Sequence, residues 1–382
     1  MHISKFLWGV IFMSKRVIIL LVVMSLLTAL FCPAFADGLK IAIITSPNDV
    51  HDGGFLENNY NGLLAFQKEH PGALITPLQE KTGDPAECIK VAENIAADYD
   101  VVVCVGFQFS GIAEVAEDNP ETKFIIVDTW PADEAGNTVT TKNVYAMTFK
   151  EQEGGFLAGL AAALTTKSGK VAVVNGIAFP TNVNYQYGFM SGVNYANRNY
   201  GTKVAIVELP SYAGTDITGK NVGGNYIGSF TDRANGKIVG QALIREGCDV
   251  IFVASGAAGM GVFTAAKESK GVYIVGCDAD QYHDGENGDS NIILTSALKI
   301  MDRNDHRVLN EIDAGTFKGE NVLLGAESDS VGYVKTPGHH QLTDDTIAKI
   351  DAAYVLMKAG KIVPASFSSG TTPDNFEGID AK

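Results

Sequence analysis

The sequence contains one series of short apolar segments twice. Each copy has four segments typical of buried strands, and the stretches between them carry the apolar spacing of helices. The pairs, with the number of the first residue, are KIAIIT (40) and KVAVVN (170), ALITPL (73) and VAIVEL (204), DVVVCVG (100) and DVIFVAS (249), and KFIIVD (123) and VYIVGCD (272). Strands that alternate with helices predict a parallel sheet. We therefore predict an α/β protein with two similar lobes, each a doubly wound parallel sheet.

The spacing of the repeat changes within the second copy. The first two pairs lie about 130 residues apart and the last two about 149, so about 19 extra residues fall between Glu208 and Asp232. That stretch is rich in glycine, serine and threonine, which predicts a long loop, and long loops are commonly functional or mobile. Ligands bind at the carboxyl ends of strands in such sheets, so two facing lobes predict a cleft.

Length and charge restrict the class of protein. The chain has 382 residues, enough for about two domains, and 46% of them are hydrophobic. Its formal net charge is −15, and because the first 36 residues hold three basic and no acidic side chains, the remainder carries −18. Such a surface repels phosphate backbones and anionic lipid heads. We therefore expect no nucleic-acid partner.

The N-terminus has the pattern of a targeting segment. Lys15 and Arg16 precede the apolar run VIILLVVMSLLTALF, which suits a signal peptide and is short for a membrane span. Ala34 and Ala36 fit the small-x-small cleavage rule. We predict that residues 1–36 are a signal peptide and that the mature protein is exported and periplasmic. An uncleaved anchor is the alternative.

Two details of this segment stay open. Met13 is a second candidate start, because MSKRVIILL is a more usual signal opening than the twelve residues before it. Cys32 suggests a lipid anchor, but Phe31 stands where lipidation requires a small residue. A soluble exported protein is the favoured interpretation.

Four cysteines remain after the predicted cleavage site. Their spacing matches no zinc pattern, and Cys104 lies within a predicted buried strand. Buried thiols that pack as small apolar side chains are the favoured interpretation. In an exported protein a disulfide between Cys248 and Cys277 is also compatible with the sequence.

Two glycine-rich segments resemble phosphate-binding loops only in part. Gly214–Asn221 (GTDITGKN) has Asn221 in place of the hydroxyl that holds magnesium, and no helix follows. Ser255–Gly261 (SGAAGMG) lies between a strand and a helix, so its N–H groups suit an anion or a hydroxyl. It lacks the dinucleotide pattern. We interpret it as a glycine-lined wall of a cleft for a polar ligand.

The sequence lacks the usual catalytic motifs GxSxG, HExxH and CxxC. Asp278 and Asp280 could hold a metal, but no further carboxylates follow at ligand spacing. Asp128 and Asp278 each end a predicted strand, which favours a role as acceptor for ligand hydrogen bonds. We predict no enzyme activity, no metal and no cofactor.

Phe55 stands where a loop is normally polar. It follows the first predicted strand and precedes a helix, in HDGGFLENNYNGLLAF. At the carboxyl end of a strand it either points into the cleft or packs on its own helix as a hydrophobic staple.

Long segments of the chain resemble the basic membrane protein family. These are substrate-binding proteins of ABC importers, and their best-understood members are purine nucleoside receptors. The likeness extends over the whole mature chain, in order and spacing. The segments that carry it are NVYAMTFKEQEGGFLAGLAAALTTKSGKVAVVNG (143–176), GSFTDRANGKIVGQALIREGCDVIFVASGAAGMGVFTAAKE (228–268), VYIVGCDADQ (272–281) and ILTSALKIMD (293–302).

The resemblance implies the type I periplasmic-binding-protein fold, in which two lobes are joined by a hinge of three crossings. Lobe one would comprise 37–148 and about 297–325. Lobe two would comprise 149–296 and about 326–382.

The resemblance also implies roles for individual residues. In the nucleoside receptors two phenylalanines enclose the base, and the matching residues are Phe55 and Phe230. Asp128 would accept N–H groups of a purine. The residues that would meet the ribose hydroxyls are Gly256, Asp278 and Lys299. Lys299 would also neutralise Asp278.

The first loop departs from the family pattern TDxGxxxDxSFNQ. Ser46 replaces the first aspartate, Gly54 replaces the serine and Leu56 replaces an asparagine, all near the implied base. Other polar or aromatic side chains on cleft-facing loops are candidates to compensate. These are Asn58, Gln108, Trp130 and Tyr185.

We therefore expect an extracytoplasmic binding protein of an ABC importer that closes on one small ligand, a purine nucleoside, and presents it to a membrane permease. Other flat heterocycles (a nucleobase or a flavin) and sugars are the alternatives within this class. An NAD-type enzyme is an alternative from another class, opposed by the signal peptide and by the absent acid–base set. A transcription regulator on the same scaffold is opposed by the absence of a DNA-binding segment.

Overall fold

A computed structural model describes residues 38–376, which form a mixed α/β fold. The predictions on the signal peptide, Met13 and Cys32 lie outside the described residues. The helices are α1 Phe55–Glu69, α2 Pro85–Ile95, α3 Ala113–Asp118, α4 Glu151–Thr165, α5 Pro180–Asn199, α6 Arg233–Arg245, α7 Gly256–Lys267, α8 Met301–Asp313 and α9 Asp344–Lys358.

The strands alternate with these helices along most of the chain. In chain order they are β1 Lys40–Thr45, β2 Leu74–Gln79, β3 Val101–Val105, β4 Lys123–Val127, β5 Val144–Phe149, β6 Lys170–Asn175, β7 Ala205–Ile206, β8 Gly214–Thr215, β9 Asn221–Gly223, β10 Val250–Ala254, β11 Tyr273–Asp278, β12 Glu286–Asn287, β13 Ser290–Asn291, β14 Ile293–Lys299, β15 Glu320–Leu324 and β16 Val331–Tyr333.

Two six-stranded sheets have the same strand order, which confirms the predicted repeat. The first runs β15-β5-β4-β3-β1-β2 and is parallel throughout. The second runs β16-β14-β11-β10-β6-β7, and only its edge strand β16 is antiparallel to its neighbour. The central strands β3 and β10 are fully buried, as expected when helices cover both faces of a sheet.

Helices α4 and α5 pack unusually close together. A Cβ atom at Gly155 or Gly159 of α4 would overlap the backbone of α5, and one at Gly188 or Gly192 of α5 would overlap the backbone of α4. Only glycine permits this approach of two backbones. The contact fixes α5 on the second sheet, and α5 carries Tyr185 to the carboxyl ends of the strands.

The chain passes between the two sheets at three places. These lie between β5 and α4, between β14 and α8, and between β15 and β16. The second passage brings the chain back to the first sheet, because α8 packs on α1 and β4. The sequence prediction put the second passage near residue 297. Strand β14 instead continues in the second sheet to Lys299, because its last residues pair with β16.

Two segments differ from their sequence predictions. The predicted strand VAIVEL is shortened to Ala205–Ile206, since Leu209 leaves the sheet and donates its N–H to Asn225 Oδ1 at 2.8 Å. The extra segment, predicted as a long loop, contains the antiparallel hairpin β8–β9, and Gly214–Asn221, the stretch that partly resembles a phosphate-binding loop, lies within this hairpin. Cys248 and Cys277 are buried free thiols, so the alternative of a disulfide between them does not hold in the structure.

Candidate functional site

A cavity lies where the carboxyl ends of strands from both sheets meet. It contains about 670 Å³ of atom-free space, part of it open to solvent. All seven residues predicted to contact a ligand line it. They are Ser46, Phe55, Asp128, Phe230, Gly256, Asp278 and Lys299. Their roles toward a ligand stay predictions.

The four supporting candidates divide into two pairs. Gln108 and Tyr185 line the cavity. Asn58 does not, because its Oδ1 accepts the N–H of Asp302 at 3.0 Å and joins α1 to α8. Trp130 also lies outside the lining, with its indole nitrogen 3.4 Å from the carbonyl oxygen of Val322. The expectation that both face the cleft is therefore wrong.

Aromatic side chains from both sheets enter the cavity. Phe55 is the first residue of α1, is partly buried, and has Lys299 Nζ 5.1 Å from its ring centre. The ring centres of Phe107 and Phe179 are 5.2 Å apart, and those of Phe179 and Phe230 are 6.0 Å apart. The sequence analysis missed Phe107 and Phe179. Both lie shortly after strands, β3 and β6, so the rule used for Phe55 would have found them.

The two strand-end aspartates occupy equivalent positions of the repeat. Asp128 follows β4 and Asp278 ends β11, and these strands hold the same place in their sheets. Their φ angles are 71° and 68°, in the left-handed region that aspartate tolerates better than most residues. This backbone conformation is concentrated at functional sites. The repeat thus brings two carboxylates to one cavity.

Lys299 forms a buried charge cluster with two carboxylates. Its Nζ forms ion pairs with Asp128 and, at 3.1 Å, with Glu151 Oε1, while Asn184 donates to Glu151 Oε2 at 3.0 Å. Burial raises the pKa of Asp128 to about 7. The positive charge of Lys299 lowers this pKa, and the negative charge of Glu151 partly offsets that lowering. Burial alone would lower the pKa of Lys299, but Asp128 and Glu151 hold it above its usual value.

Asp278 has a partner other than the one the resemblance implied. The hydroxyl of Tyr185 donates to Asp278 Oδ1 at 2.7 Å, whereas the ion pairs of Lys299 within the described chain go to Asp128 and Glu151. Burial and the charge of Asp278 raise the pKa of Tyr185, so its hydroxyl stays protonated and donates. Asp278 nevertheless helps to raise the pKa of Lys299, after Asp128 and Glu151, so the two charges interact without a direct ion pair. Glu151, absent from the sequence analysis, forms the second direct ion pair of Lys299.

Asp52 is a cavity residue that the sequence analysis did not select. Its Oδ1 accepts the N–H groups of Gly54, Leu56 and Glu57 at 3.0–3.1 Å and so fixes the start of α1. Burial raises its pKa to about 6 in spite of these three hydrogen bonds. The pattern Asp-x-x-Phe before a helix was the available signal, since a carboxylate that accepts N–H groups of the first turn is a common helix start.

Ser46 takes its orientation from a neighbouring carboxylate. Its hydroxyl donates to Glu80 Oε2 at 2.7 Å, and Gln108 donates to its carbonyl oxygen at 3.3 Å. Although Glu80 is buried, hydrogen bonds from Thr82, Ser46 and Gly83 lower its pKa to about 2. The Ser46 hydroxyl proton is therefore engaged away from a ligand, and its oxygen remains as an acceptor.

Hydrogen bonds connect the two halves of the cavity rim. Asn48, after β1, donates to the carbonyl oxygen of Phe230 at 3.2 Å. Gln281, after β11, donates to the carbonyl oxygen of Gly53 at 3.0 Å. Residues that follow strands of one sheet thus contact residues of the other.

Within residues 38–376, no group of three or more histidine, cysteine or carboxylate side chains is placed to enclose a metal ion. None of the helices in this part of the chain has the length and apolarity needed to cross a bilayer.

Comparison with known proteins identifies the class. A family model described as "ABC transporter substrate-binding protein PnrA-like" matches residues 39–213 and 211–356. This is an ABC transporter substrate-binding protein. More narrowly, the chain belongs to the Bmp family, as its resemblance to basic membrane proteins implied. The family and its fold are those of extracytoplasmic solute-binding proteins, which take a small-molecule ligand and work with a membrane permease.

Individual relatives agree with this assignment. The chain is 30% identical over 290 residues to basic membrane protein A1 of Borrelia garinii, covering 75% of this chain and 77% of the relative. It is 28% identical over 302 residues to the ABC transporter nucleoside-binding protein BmpA of Lactococcus lactis, covering 75% and 78%. An ABC transporter solute-binding protein of Aeropyrum pernix shares the fold, with a TM-score of 0.70, 21% identity, and coverage of 85% of this chain and 92% of that one.

Proposed function

We propose that this protein binds a purine nucleoside in the cavity and delivers it to the permease of an ABC importer. The observation that carries the proposal is one cavity lined by phenylalanines of both sheets together with a carboxylate held by Tyr185. The relative from Lactococcus lactis, named as nucleoside-binding, supports the same ligand class.

The aromatic side chains suit the base. Phe55 comes from the first sheet and Phe230 from the second, and Phe179 supports Phe230 from its own side of the cavity. Stacking of a base on an aromatic side chain contributes about 1–3 kcal/mol per base. A purine ring held between the two phenylalanines gains this contribution only when both halves of the cavity contact it, which links binding to closure.

The polar residues suit a ribose. Tyr185 occupies one oxygen of Asp278, which leaves the other to accept ligand hydroxyl donors. Lys299 is held by Asp128 and Glu151, so it donates from a fixed position. Gly256 begins α7, where the N–H groups of the first helical turn favour a hydroxyl oxygen or a partial negative charge. A ligand without hydroxyls leaves these groups unpaired, which is a large cost in a buried site.

Closure involves the three passages between the sheets. We assign lobe one to residues 38–149 and 300–325 and lobe two to 150–299 and 326–376. Rotation about these passages separates Asn48 from Phe230 and Gln281 from Gly53, and opens the cavity. The prediction of a periplasmic location follows the family and the N-terminal pattern.

Thermal unfolding of the mature protein tests the ligand class. The protein is unfolded, freed of co-purified ligand, refolded and heated with inosine, adenosine, guanosine, adenine or riboflavin. A ligand present at 100 times its dissociation constant stabilises by about 2.7 kcal/mol, a shift of at least a few degrees. We expect shifts with the nucleosides and none with adenine. A shift of the unfolding temperature with adenine or riboflavin alone contradicts the proposal of a nucleoside ligand and leaves the importer role intact.

Two variants test the individual roles. Phe230→Ala should weaken nucleoside binding about 5- to 150-fold, the equivalent of one lost stacking contact, without unfolding the protein. Asp278→Ala should abolish the preference for nucleoside over free base. The matched control is Trp130→Ala, an aromatic side chain outside the cavity lining. Unchanged affinity in Phe230→Ala, or equal loss for nucleoside and base in Asp278→Ala, contradicts the assigned role.

A further inference from the structure

Two histidines at the rim of the second sheet are each held by a carboxylate. His283 lies in the segment after β11, and its Nδ1 is 2.8 Å from Glu286 Oε1. His339 lies in the segment after β16, and its Nδ1 is 2.6 Å from Asp280 Oδ2. The centres of the two imidazole rings are 5.4 Å apart. Neither histidine lines the cavity described above.

The carboxylates determine which ring nitrogen is left for a ligand. An ionised carboxylate only accepts hydrogen bonds, so the Nδ1 beside each of them carries the proton. In a neutral imidazole the lone pair then lies on Nε2. Within the described chain, the Nε2 atoms of His283 and His339 take part in no hydrogen bond or ion pair. Histidines that bind metal in proteins commonly have this arrangement, with the other nitrogen donating to a carboxylate.

The separation of the rings fits a shared ion. Zinc binds imidazole nitrogen at about 2.0–2.1 Å, which puts the centres of two rings on one tetrahedral ion about 5 Å apart. His339 is held in place by Tyr282, whose ring stacks on it with centres 5.1 Å apart. His283 is held only by Glu286, and both side chains are exposed. Asp284 adds a third carboxylate near His283, so the local charge attracts a cation.

We propose that His283 and His339 bind a divalent transition-metal ion, such as zinc, through their Nε2 atoms. With two protein ligands, water completes the coordination, so the ion is exchangeable. Bound there, the ion ties the segment after β11 to the segment after β16. The first of these carries Gln281, which donates to Gly53 across the cavity rim. The site thus lies beside a contact between the two halves, and its existence does not depend on the ligand of the cavity.

Calorimetric titration of the mature protein with Zn²⁺, on material purified without a histidine tag, tests the site. We expect one ion per chain for the wild type. His283→Gln and His339→Gln should each weaken binding at least about tenfold, the usual scale for disturbing a metal site. His340→Gln is the matched control, because this neighbouring histidine accepts the N–H of Leu342 through Nδ1 and belongs to neither pair.

A second variant separates this site from general attraction of cations to an acidic surface. Asp280→Asn keeps the shape of the side chain but removes the charge that orients His339, and binding should again fall about tenfold or more. If His283→Gln and His339→Gln bind Zn²⁺ like the wild type, or if no binding is measured for the wild type, the proposal is overturned. Unchanged unfolding temperatures in the variants exclude a loss caused by misfolding.

Discussion

At the scale of single residues, Gly176 determines where the ring of Phe230 lies. A Cβ atom at position 176 would approach Phe230 Cδ1 and Cε1 closer than any real Cβ contact. The backbone at 176 is not left-handed, so the substitution meets only this obstacle. We predict that Gly176→Ala displaces the ring of Phe230 from the cavity. Binding of the nucleoside that raises the unfolding temperature of the wild type should then weaken about 5- to 150-fold.

The control for this change is Gly332→Ala, since a Cβ atom there has open space around it. Both variants should unfold cooperatively, and only Gly176→Ala should lose affinity in a calorimetric titration. Wild-type affinity in Gly176→Ala would show that the ring has no fixed role in binding.

The positive charge of Lys299 compensates the negative charges of two carboxylates that have little access to water. Its side chain is 2% exposed, and those of Asp128 and Glu151 are 9% and 1% exposed. Lys299→Met keeps the length of the side chain and removes the charge. We predict a loss of about 3–5 kcal/mol in the free energy of unfolding, because removing one partner leaves buried charge unpaired. Denaturant unfolding measures it.

A surface lysine provides the comparison. Lys349 pairs with Asp345 one helical turn away, and Asp345 is well exposed. Lys349→Met should therefore cost no more than about 0.5 kcal/mol. Similar losses in the two variants would mean that the buried cluster has no special energetic role.

At the scale of elements, the extra segment of the second repeat is held by Asn225. This fully buried side chain donates to the carbonyl oxygens of Val173 and Val207 at 2.9 and 3.0 Å, and accepts the N–H of Leu209 at 2.8 Å. We predict that Asn225→Ala lowers the free energy of unfolding by at least about 2 kcal/mol, since three buried backbone groups lose their partner. Thermal or denaturant unfolding measures the change.

The neighbouring Asn221→Ala is the control, because that side chain is exposed and accepts one N–H from Gly223. Equal stability of the two variants would contradict an anchoring role for Asn225. Through Asn225 the extra segment between Glu208 and Asp232 is tied to the second sheet by three buried hydrogen bonds.

The same segment shows what the sequence pattern could and could not predict. Strands such as β3 and β10 are continuous apolar runs between turn residues, so their positions follow from local sequence. Asn225 is polar and has no periodic neighbours, and it matters only because Val173 and Val207 lie beside it in the fold. A composition rich in glycine and serine indicates a loop, but it contains no information about such tertiary hydrogen bonds.

At the scale of the whole molecule, the repeat and the strand-end rule predicted the position of the cavity but not its internal pairing. Strands β4 and β11 and the residues that end them can be identified from the sequence pattern, so Asp128 and Asp278 could be placed at one cleft. Which of them Lys299 contacts depends on Glu151, which begins a helix after a passage between the sheets. Pairing across such a passage depends on the angle between the lobes, and local sequence does not encode that angle.

The stability of the whole molecule should depend on pH through carboxyl groups at these passages and at the rim. Burial raises the pKa of Asp52 to about 6 and that of Glu153, at the first passage between the sheets, to about 7. A raised pKa means that the folded state holds a proton which the unfolded state has already lost. Both groups therefore lower stability as pH rises from about 4 to 7.

Glu80 acts in the opposite direction at lower pH. The pKa of Glu80 is about 2 in the folded state, against an ordinary value of 4.5. The stabilisation that its ionised form gives the folded state is therefore lost as pH falls below about 4.5. The unfolding temperature should thus rise from pH 8 to about pH 5 and fall again below pH 4. Scanning calorimetry across this range measures the profile.

Asp52→Asn isolates the contribution of one of these two carboxyl groups to the pH dependence. All three N–H groups at the start of α1 donate to Oδ1, so the amide oxygen of asparagine can keep these hydrogen bonds while the titrating group is removed. The shift of the pKa from 3.8 to about 6 corresponds to about 2–3 kcal/mol. We expect the free energy of unfolding of the variant to exceed that of the wild type by about this amount at pH 8. The unfolding temperature of the variant should then rise less than that of the wild type between pH 8 and pH 5. A variant with the pH profile of the wild type would mean that Asp52 is solvated in solution and that the rim between the lobes is open there.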